Sequence, residues 1–189
     1  MSAIKPVEWS VSTGLVPYPD AVRTMEERVP AIALGYAVAR LGCFLNGDDF
    51  GIVTTVPWGV QFPPGTEAFA NHLANGWVSV GDTLSLPVHP TQLYHAAAGL
   101  LLFVVLRSWK PAWPGQRLAL ALTGYGLLRF GIEFLRGDAA PVVGTLHAAH
   151  LFGALFVVSG AFLWWWHTRH SSPAPAMRPG PLTVSTSSE

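Results

Sequence analysis

The chain has 189 residues, of which 50% are hydrophobic and only 12% charged, with no net charge, and its mean hydropathy is +0.37. Soluble domains carry about 25% charged residues, so this composition points to a membrane protein. With a neutral balance nothing argues for nucleic acid or a polyanion as partner, and none is expected, and the single cysteine, Cys43, excludes an internal disulfide.

In chain order, MSAIKPVEWSVSTGLVPYPD lacks the basic start and apolar core of a signal peptide, so insertion is expected to rest on internal apolar helices. Residues 1–27 read as a polar, Pro-containing irregular segment. A first apolar helix is predicted over about 29–46, with Pro30 in its first turn and glycines after Asn46 to stop it. Residues 47–88 read as a long loop rich in Gly, Pro and polar groups, with short strands near VTTVPWGVQF. A second helix is predicted over about 91–109, begun by the turn at His89-Pro90, a third over about 116–136 and a fourth over about 147–167. The Pro- and Ser-rich tail, 171–189, is expected to be disordered.

The predicted helices are each close to the roughly 20 residues that span the hydrocarbon. Residues 47–88 contain no Lys or Arg, whereas the 107–117 link holds Arg107, Lys110 and Arg117, and both termini hold further basic residues. The positive-inside rule then puts the termini and that link in the cytoplasm and the 47–88 and 137–146 loops outside. Trp109, Trp113 and Trp164 to Trp166 fall at predicted membrane edges, where amphipathic rings settle. The expected fold is an all-α membrane protein: one bundle, residues 28–170, of about four transmembrane helices with a long outward-facing loop.

Within these apolar stretches stand Arg40, Arg129, Glu133 and Arg136. Each charge at mid-membrane costs about 2.5–3.5 kcal/mol on insertion scales, so together they cost on the order of 10 kcal/mol and mark a site by default. Tyr125, Arg129, Glu133 and Arg136 recur every four, four and three residues, one face of a helix, with Gly124, Gly126 and Gly131 available for close helix contact. Arg40 and Arg129 lie at similar depth, about 15 and about 18 Å along their helices at 1.5 Å per residue. Two arginines at one level repel unless an anion joins them. Glu133 can pair with one, leaving a charge for a ligand, and a guanidinium fork suits a phosphate. The abundant phosphate in a membrane is a phospholipid headgroup. The alternative is a structural ion pair of Glu133 with Arg129 or Arg136.

Two further clusters flank the stripe. ARLGCFLNGDDFG, residues 39–51, gathers Arg40, Cys43, Asn46 and Gly47 at the outward end of helix one. There Asp48 and Asp49 would be solvated loop charges if the glycine is only a helix stop. HPTQLYH, residues 89–95, puts His89 and Tyr94 at the outer interface. His95, His147 and His150 lack a carboxylate at ligand spacing, so no metal and no cofactor is expected. No P-loop, dinucleotide fingerprint, Gly-x-Ser-x-Gly or Cys-x-x-Cys occurs.

Read together and in order, RLGCFLNGDDFG, HPTQLYH and YGLLRFGIEFLR resemble the bacterial prolipoprotein diacylglyceryl transferases. Their pattern is Arg-x-Gly-Asn-Phe-x-Asn-Gly-Glu with a following Gly, then His-Pro-Ser-Gln-Leu-Tyr-Glu, then Tyr-x-x-x-Arg-Phe-x-x-Glu-x-x-Arg. The resemblance covers about residues 30–155. It implies a multi-pass protein of the bacterial cytoplasmic membrane that moves diacylglyceryl from phosphatidylglycerol to the lipobox cysteine thiol of a prolipoprotein, with glycerol phosphate leaving. By motif, Arg40 and Arg129 would hold the lipid phosphate and Tyr125 would act at the reacting centre. Asn46 and Gly51 would lie in the lipid-binding segment, and Glu133 and Arg136 would order the stripe. Cys43 replaces the family's asparagine, Asp48 a glutamate and His95 a glutamate. The family's upstream His-Gly-Gly does not occur in this chain, which resembles the C-terminal portion of the fold, so His89 or His95 would have to supply a base. A chain without one would be a non-catalytic or truncated relative that binds anionic phospholipid or a membrane partner.

Overall fold

The computed structural model describes residues 14–170. The 171–189 tail, and residues 1–13 of the expected irregular segment, lie outside the described residues. Five helices form the described part: α1 Tyr18–Asn46, α2 Glu67–Ala74, α3 Thr91–Ser108, α4 Gln116–Glu133 and α5 Ala148–His170. Two of them, Asp20–Asn46 within α1 and the whole of α5, are long and apolar enough to cross a membrane by length and composition.

Helix α1 starts at Tyr18, not near Val29, so the predicted irregular stretch ends earlier than hydropathy suggested. A proline falls in the first turn and Asp20 follows it, both favourable at a helix N-terminus. Arg23 pairs with Asp20 at 2.9 Å. Pro30 consequently lies inside the helix rather than in its first turn, where it removes one backbone hydrogen bond. With 29 residues, α1 is about 43 Å long at 1.5 Å per residue. That exceeds the roughly 30 Å hydrocarbon layer, so a polar first third extends beyond it.

This extension has a structural task. Glu26 is buried, and its Oε1 accepts from the backbone N–H of Gly115 at 2.8 Å and of Arg117 at 3.1 Å. A carboxylate at a helix N-terminus satisfies orphan donors and opposes the helix dipole. Glu26 therefore ties α1 to the start of α4.

Packing proceeds chiefly in pairs, α1 with α3 and α4 with α5, and α3 against α4 joins the two. The pairs touch through small residues. A Cβ on Gly126 would stand 2.5 Å from the Gly153 carbonyl oxygen, so α4 and α5 meet backbone to backbone there. Gly124 faces Leu102 across the α3–α4 contact, but Gly131, expected to serve in the same way, has open space beside it. The buried core between α1, α3 and α4 consists of Ala33, Leu102 and Leu106, flanked by Val29, Leu120 and Tyr125. Large apolar residues such as Ile32, Val38, Leu101, Leu127, Leu155 and Phe162 are exposed. Glycines at the helix contacts and large apolar side chains facing outward are the arrangement of helices solvated by lipid.

The 47–88 segment is more ordered than a plain loop. It contains α2, capped by Thr66, whose side chain accepts from the Phe69 N–H. It has its own core of Phe50, Phe62, Ala68 and Val88. The short strands expected near VTTVPWGVQF reduce to single bridges, Val53 and Val60 each opposite Val88. Gly47 ends α1 with φ +72°, donating to the Cys43 and Phe44 carbonyls. It turns the chain back so that the segment closes over one end of the bundle.

Candidate functional site

Three backbone junctions place the site. Gly51 donates to the His89 carbonyl at 3.0 Å, Ile52 to that of Leu135 at 2.8 Å, and the Gly137 N–H to that of Phe50 at 3.0 Å. Thr91 Oγ1 donates to the Asp49 carbonyl and Gln92 Nε2 to that of Asp48, both at 2.6 Å. The segment after α1 is thus stitched to the start of α3 and the end of α4. Gly51 sits at the crossing: a Cβ there would be 2.5 Å from the His89 oxygen and 2.8 Å from the Leu135 oxygen. No residue with a side chain fits without moving backbone.

These junctions bring three arginines from different parts of the chain to one place. Asp49 pairs with Arg40 and also with Arg136 Nη2 at 2.7 Å. Arg136 lies just past the end of α4, not within the helix, and Asp138 grips its Nε and Nη2 at 2.6 Å each. Arg129 pairs with Glu133 at 3.3 Å, and Glu133 reaches His147 Nδ1, also at 3.3 Å. Neither of these contacts is aligned as a hydrogen bond, so the Arg129 contact acts through charge. Reading Asp49 as a solvated loop charge is therefore corrected: it is the shared counterion of two arginines. Burial opposes ionisation of Asp49, but Arg136 and Arg40 outweigh it and hold the carboxyl below its ordinary range.

The pairing also revises the expected charge arithmetic. Glu133 was expected to neutralise one of Arg40 and Arg129; it serves Arg129, while Arg40 has Asp49. Even so, the guanidiniums differ in access. The side chains of Arg40 and Arg129 each keep 17% exposure, against 8% for Arg136. A guanidinium has five N–H donors, so partly exposed Arg40 and Arg129 retain donors that their carboxylates do not occupy. Arg136 is locked by two aspartates.

An aromatic bridge connects the two accessible arginines. The Arg40 guanidinium lies over the Tyr36 ring, 5.0 Å from its centroid. The Tyr36 hydroxyl is 3.0 Å from His95 Nδ1, and Arg129 Nη1 is 3.4 Å from His95 Nε2. Because an arginine can only donate, His95 Nε2 accepts and its proton sits on Nδ1, facing Tyr36. Tyr125 packs edge-on against Tyr36 at 5.4 Å. Tyr36, His95, Tyr125 and Arg129 line a crevice of about 10 Å³, room for about one water molecule.

The remaining predicted residues stand farther out. Asn46 Nδ2 donates to Asp48 Oδ2 at 2.9 Å on the exposed end of α1. His89 turns its Nδ1 to the Tyr94 hydroxyl at 3.1 Å, and Tyr94 in turn accepts from Trp58 Nε1 at 2.8 Å. Cys43, Asp48 and Asp49 bring one ligand atom each within 4.8 Å of one another, but two arginines already neutralise Asp49, which disfavours a cation there. Sequence reasoning missed Tyr36, Asp49 and Asp138 as members of the arginine network, and gave His95 no contact with it. The i, i+4 spacing of Tyr36 and Arg40 was the signal available for one of them.

Comparison with known proteins gives a consistent assignment. A family model described as prolipoprotein diacylglyceryl transferase matches residues 19–166. A phosphatidylglycerol–prolipoprotein diacylglyceryl transferase of Chlorobaculum tepidum is 33% identical over 169 residues, 85% of this chain and 52% of the relative. One of Coxiella burnetii is 35% identical over 150 residues, 75% and 50% of the two chains. One of Polaromonas is 32% identical over 166 residues, 83% and 54%. The chain spans about half the length of the curated relatives it matches.

Proposed function

The chain belongs to the prolipoprotein diacylglyceryl transferase family, and from that premise we propose that it takes part in lipoprotein biogenesis as a transferase of the bacterial cytoplasmic membrane. Its substrates are phosphatidylglycerol and the lipobox cysteine of a prolipoprotein. The cysteine sulfur forms a bond to the glyceryl carbon as that carbon's bond to the phosphate oxygen breaks. The electron pair leaves with glycerol phosphate, and the thiol proton goes to a base.

The observation that carries this reading is the pair of accessible arginines, Arg40 and Arg129, joined through Tyr36 and His95 beside Tyr125. In this reading the lipid phosphate takes their unused donors, and the same cations stabilise the charge that develops on the leaving group. The crevice is too narrow for a phosphate as it stands, so Tyr36, Tyr125 or Arg129 moves aside on binding. Glu133 and Arg136 hold the two arginines in place, Gly51 keeps the junction closed, and Asn46 borders the approach. His89 is the better base of the two histidines in its motif: only its Nδ1 is engaged, whereas both nitrogens of His95 are.

The test is to incubate purified protein with phosphatidylglycerol and a lipobox peptide and to measure glycerol phosphate. Stoichiometric release with lipidated peptide is expected. Arg40→Ala and Arg129→Ala should weaken binding of the anionic lipid while leaving neutral lipid unaffected, and His89→Gln should abolish transfer while lipid binding survives. Among the residues lining the crevice the one histidine has no free nitrogen, which favours a second reading: a relative that holds anionic lipid without transferring it. Lipid binding with no glycerol phosphate released would select that reading.

A further inference from the structure

A second concavity lies beside the arginine network and contains none of its charged residues. It is a cleft of about 290 Å³, lined by residues 50–53 together with His72, Trp77 and Gly137. Its size is at the lower end of ligand pockets, and it shares their character, apolar walls with a single polar side chain. Ile52, Val53 and Trp77 are exposed.

Its position is set by the same junctions that build the network. Phe50 follows Asp49 in the chain, and Gly137 stands between Arg136 and Asp138, so one wall continues directly into the Arg40–Asp49–Arg136 cluster. The opposite wall is His72, on α2, and Trp77 just after it. His72 accepts from the Leu86 N–H through Nδ1 at 3.1 Å, which leaves the ring proton on Nε2. The ring packs edge-on to Phe50 at 5.9 Å and lies 5.1 Å from Trp77. Burial lowers its basicity, so at neutral pH it is a fixed, uncharged donor. Among the described residues no backbone group bonds to the Val53 N–H or C=O, which leaves an extended partner a place to pair.

We propose that this cleft seats the apolar residues that flank the acceptor thiol of the peptide substrate, in extended form, so that the cysteine is delivered to the edge of the arginine network. This rests on the transferase reading. The apolar wall selects aliphatic side chains, the Val53 backbone and His72 N–H meet peptide carbonyls and amides, and continuity with Asp49 and Arg136 sets where the following residue emerges. An anionic headgroup is a poor occupant, because the lining carries no cation.

The experiment uses the full chain in phosphatidylglycerol-containing nanodiscs. The probe is a fluorescent peptide with an apolar run ending at a single cysteine and a diazirine on the residue before it. Val53→Asp and Trp77→Ala should each weaken peptide binding by about tenfold, equivalent to about 1.4 kcal/mol, while phosphatidylglycerol binding is unchanged. Val80→Asp, at an exposed apolar position outside the cleft, should leave both unchanged. Photo-adducts should map to residues 50–53, 72–77 or 137. Equal peptide affinity in Val53→Asp and wild type, or adducts confined to the lipid-facing side of α5, would overturn the cleft assignment and leave the transferase reading standing. Wild-type protein that binds phosphatidylglycerol but not the peptide overturns it as well. Failure to bind phosphatidylglycerol would instead remove the transferase reading on which it rests.

Discussion

Replacing Asp49 with asparagine probes the charge network at its centre. At an effective dielectric of about 20, two unit charges at about 4 Å interact by about 4 kcal/mol, and Asp49 faces two arginines. Its side chain is 28% exposed, which screens both contacts, and Arg136 keeps Asp138 as partner. The net loss should therefore be about 2 kcal/mol at neutral pH, below the 3–5 kcal/mol typical of breaking a fully buried pair. The pH dependence follows from the lowered carboxyl. A group whose folded-state pKa lies below its unfolded value stabilises above that unfolded value, here 3.8, and its contribution is lost as pH falls through the lower folded value. Wild type and Asp49→Asn should thus differ fully at pH 7, and converge only in acid below about pH 3.8. The same change frees donors on Arg40, so anionic-lipid binding should tighten even as the fold weakens. Unfolding in mixed micelles, followed by helical circular dichroism at several pH values, measures the first effect, and binding to phosphatidylglycerol nanodiscs the second. A variant as stable as wild type within about 0.5 kcal/mol, with unchanged lipid affinity, would refute the shared-counterion argument.

Three other outcomes are expected. Glu26→Ala strips the acceptor from two backbone N–H groups at the start of α4, and should cost about 1–3 kcal/mol in the same unfolding assay, with Glu26→Gln recovering part of it. Gly126→Val forces apart the backbone contact with Gly153 and should cost more than about 3 kcal/mol, whereas Gly131→Ala, with open space beside it, should be neutral or slightly stabilising. Tyr36→Phe removes the hydroxyl that faces His95, and should lower turnover in the glycerol phosphate assay more than it lowers lipid affinity. Equal loss of both would show that the bridge only holds the bundle together.

The stripe of Tyr125, Arg129 and Glu133 was legible because α-helical geometry converts spacing into a shared face whatever the partners. Arg136 was placed on that face by the same rule but lies beyond it: the chain leaves the helix after Glu133 so that Gly51 and Gly137 can cross. Such a junction depends on backbone groups nearly ninety positions apart, and no local pattern announces it. Asp49 was misread for a related reason. Next to Asp48 and a glycine it has the local character of a solvated turn, and only the return of the chain to α4 puts Arg136 against it.

Composition and charge spacing alone pointed to a helical membrane protein with costly cations in its apolar stretches, because the expense of a charge in hydrocarbon does not depend on the fold around it. The three ordered motifs supplied the family resemblance. What the tertiary structure decided is which charges neutralise which: Arg40 and Arg136 share Asp49, Arg129 has Glu133, and Tyr36 and His95 span the gap. Ion pairs fall off over a few ångströms, so their membership is a matter of three-dimensional distance, and residues far apart in sequence acquire it only when the backbone closes on itself.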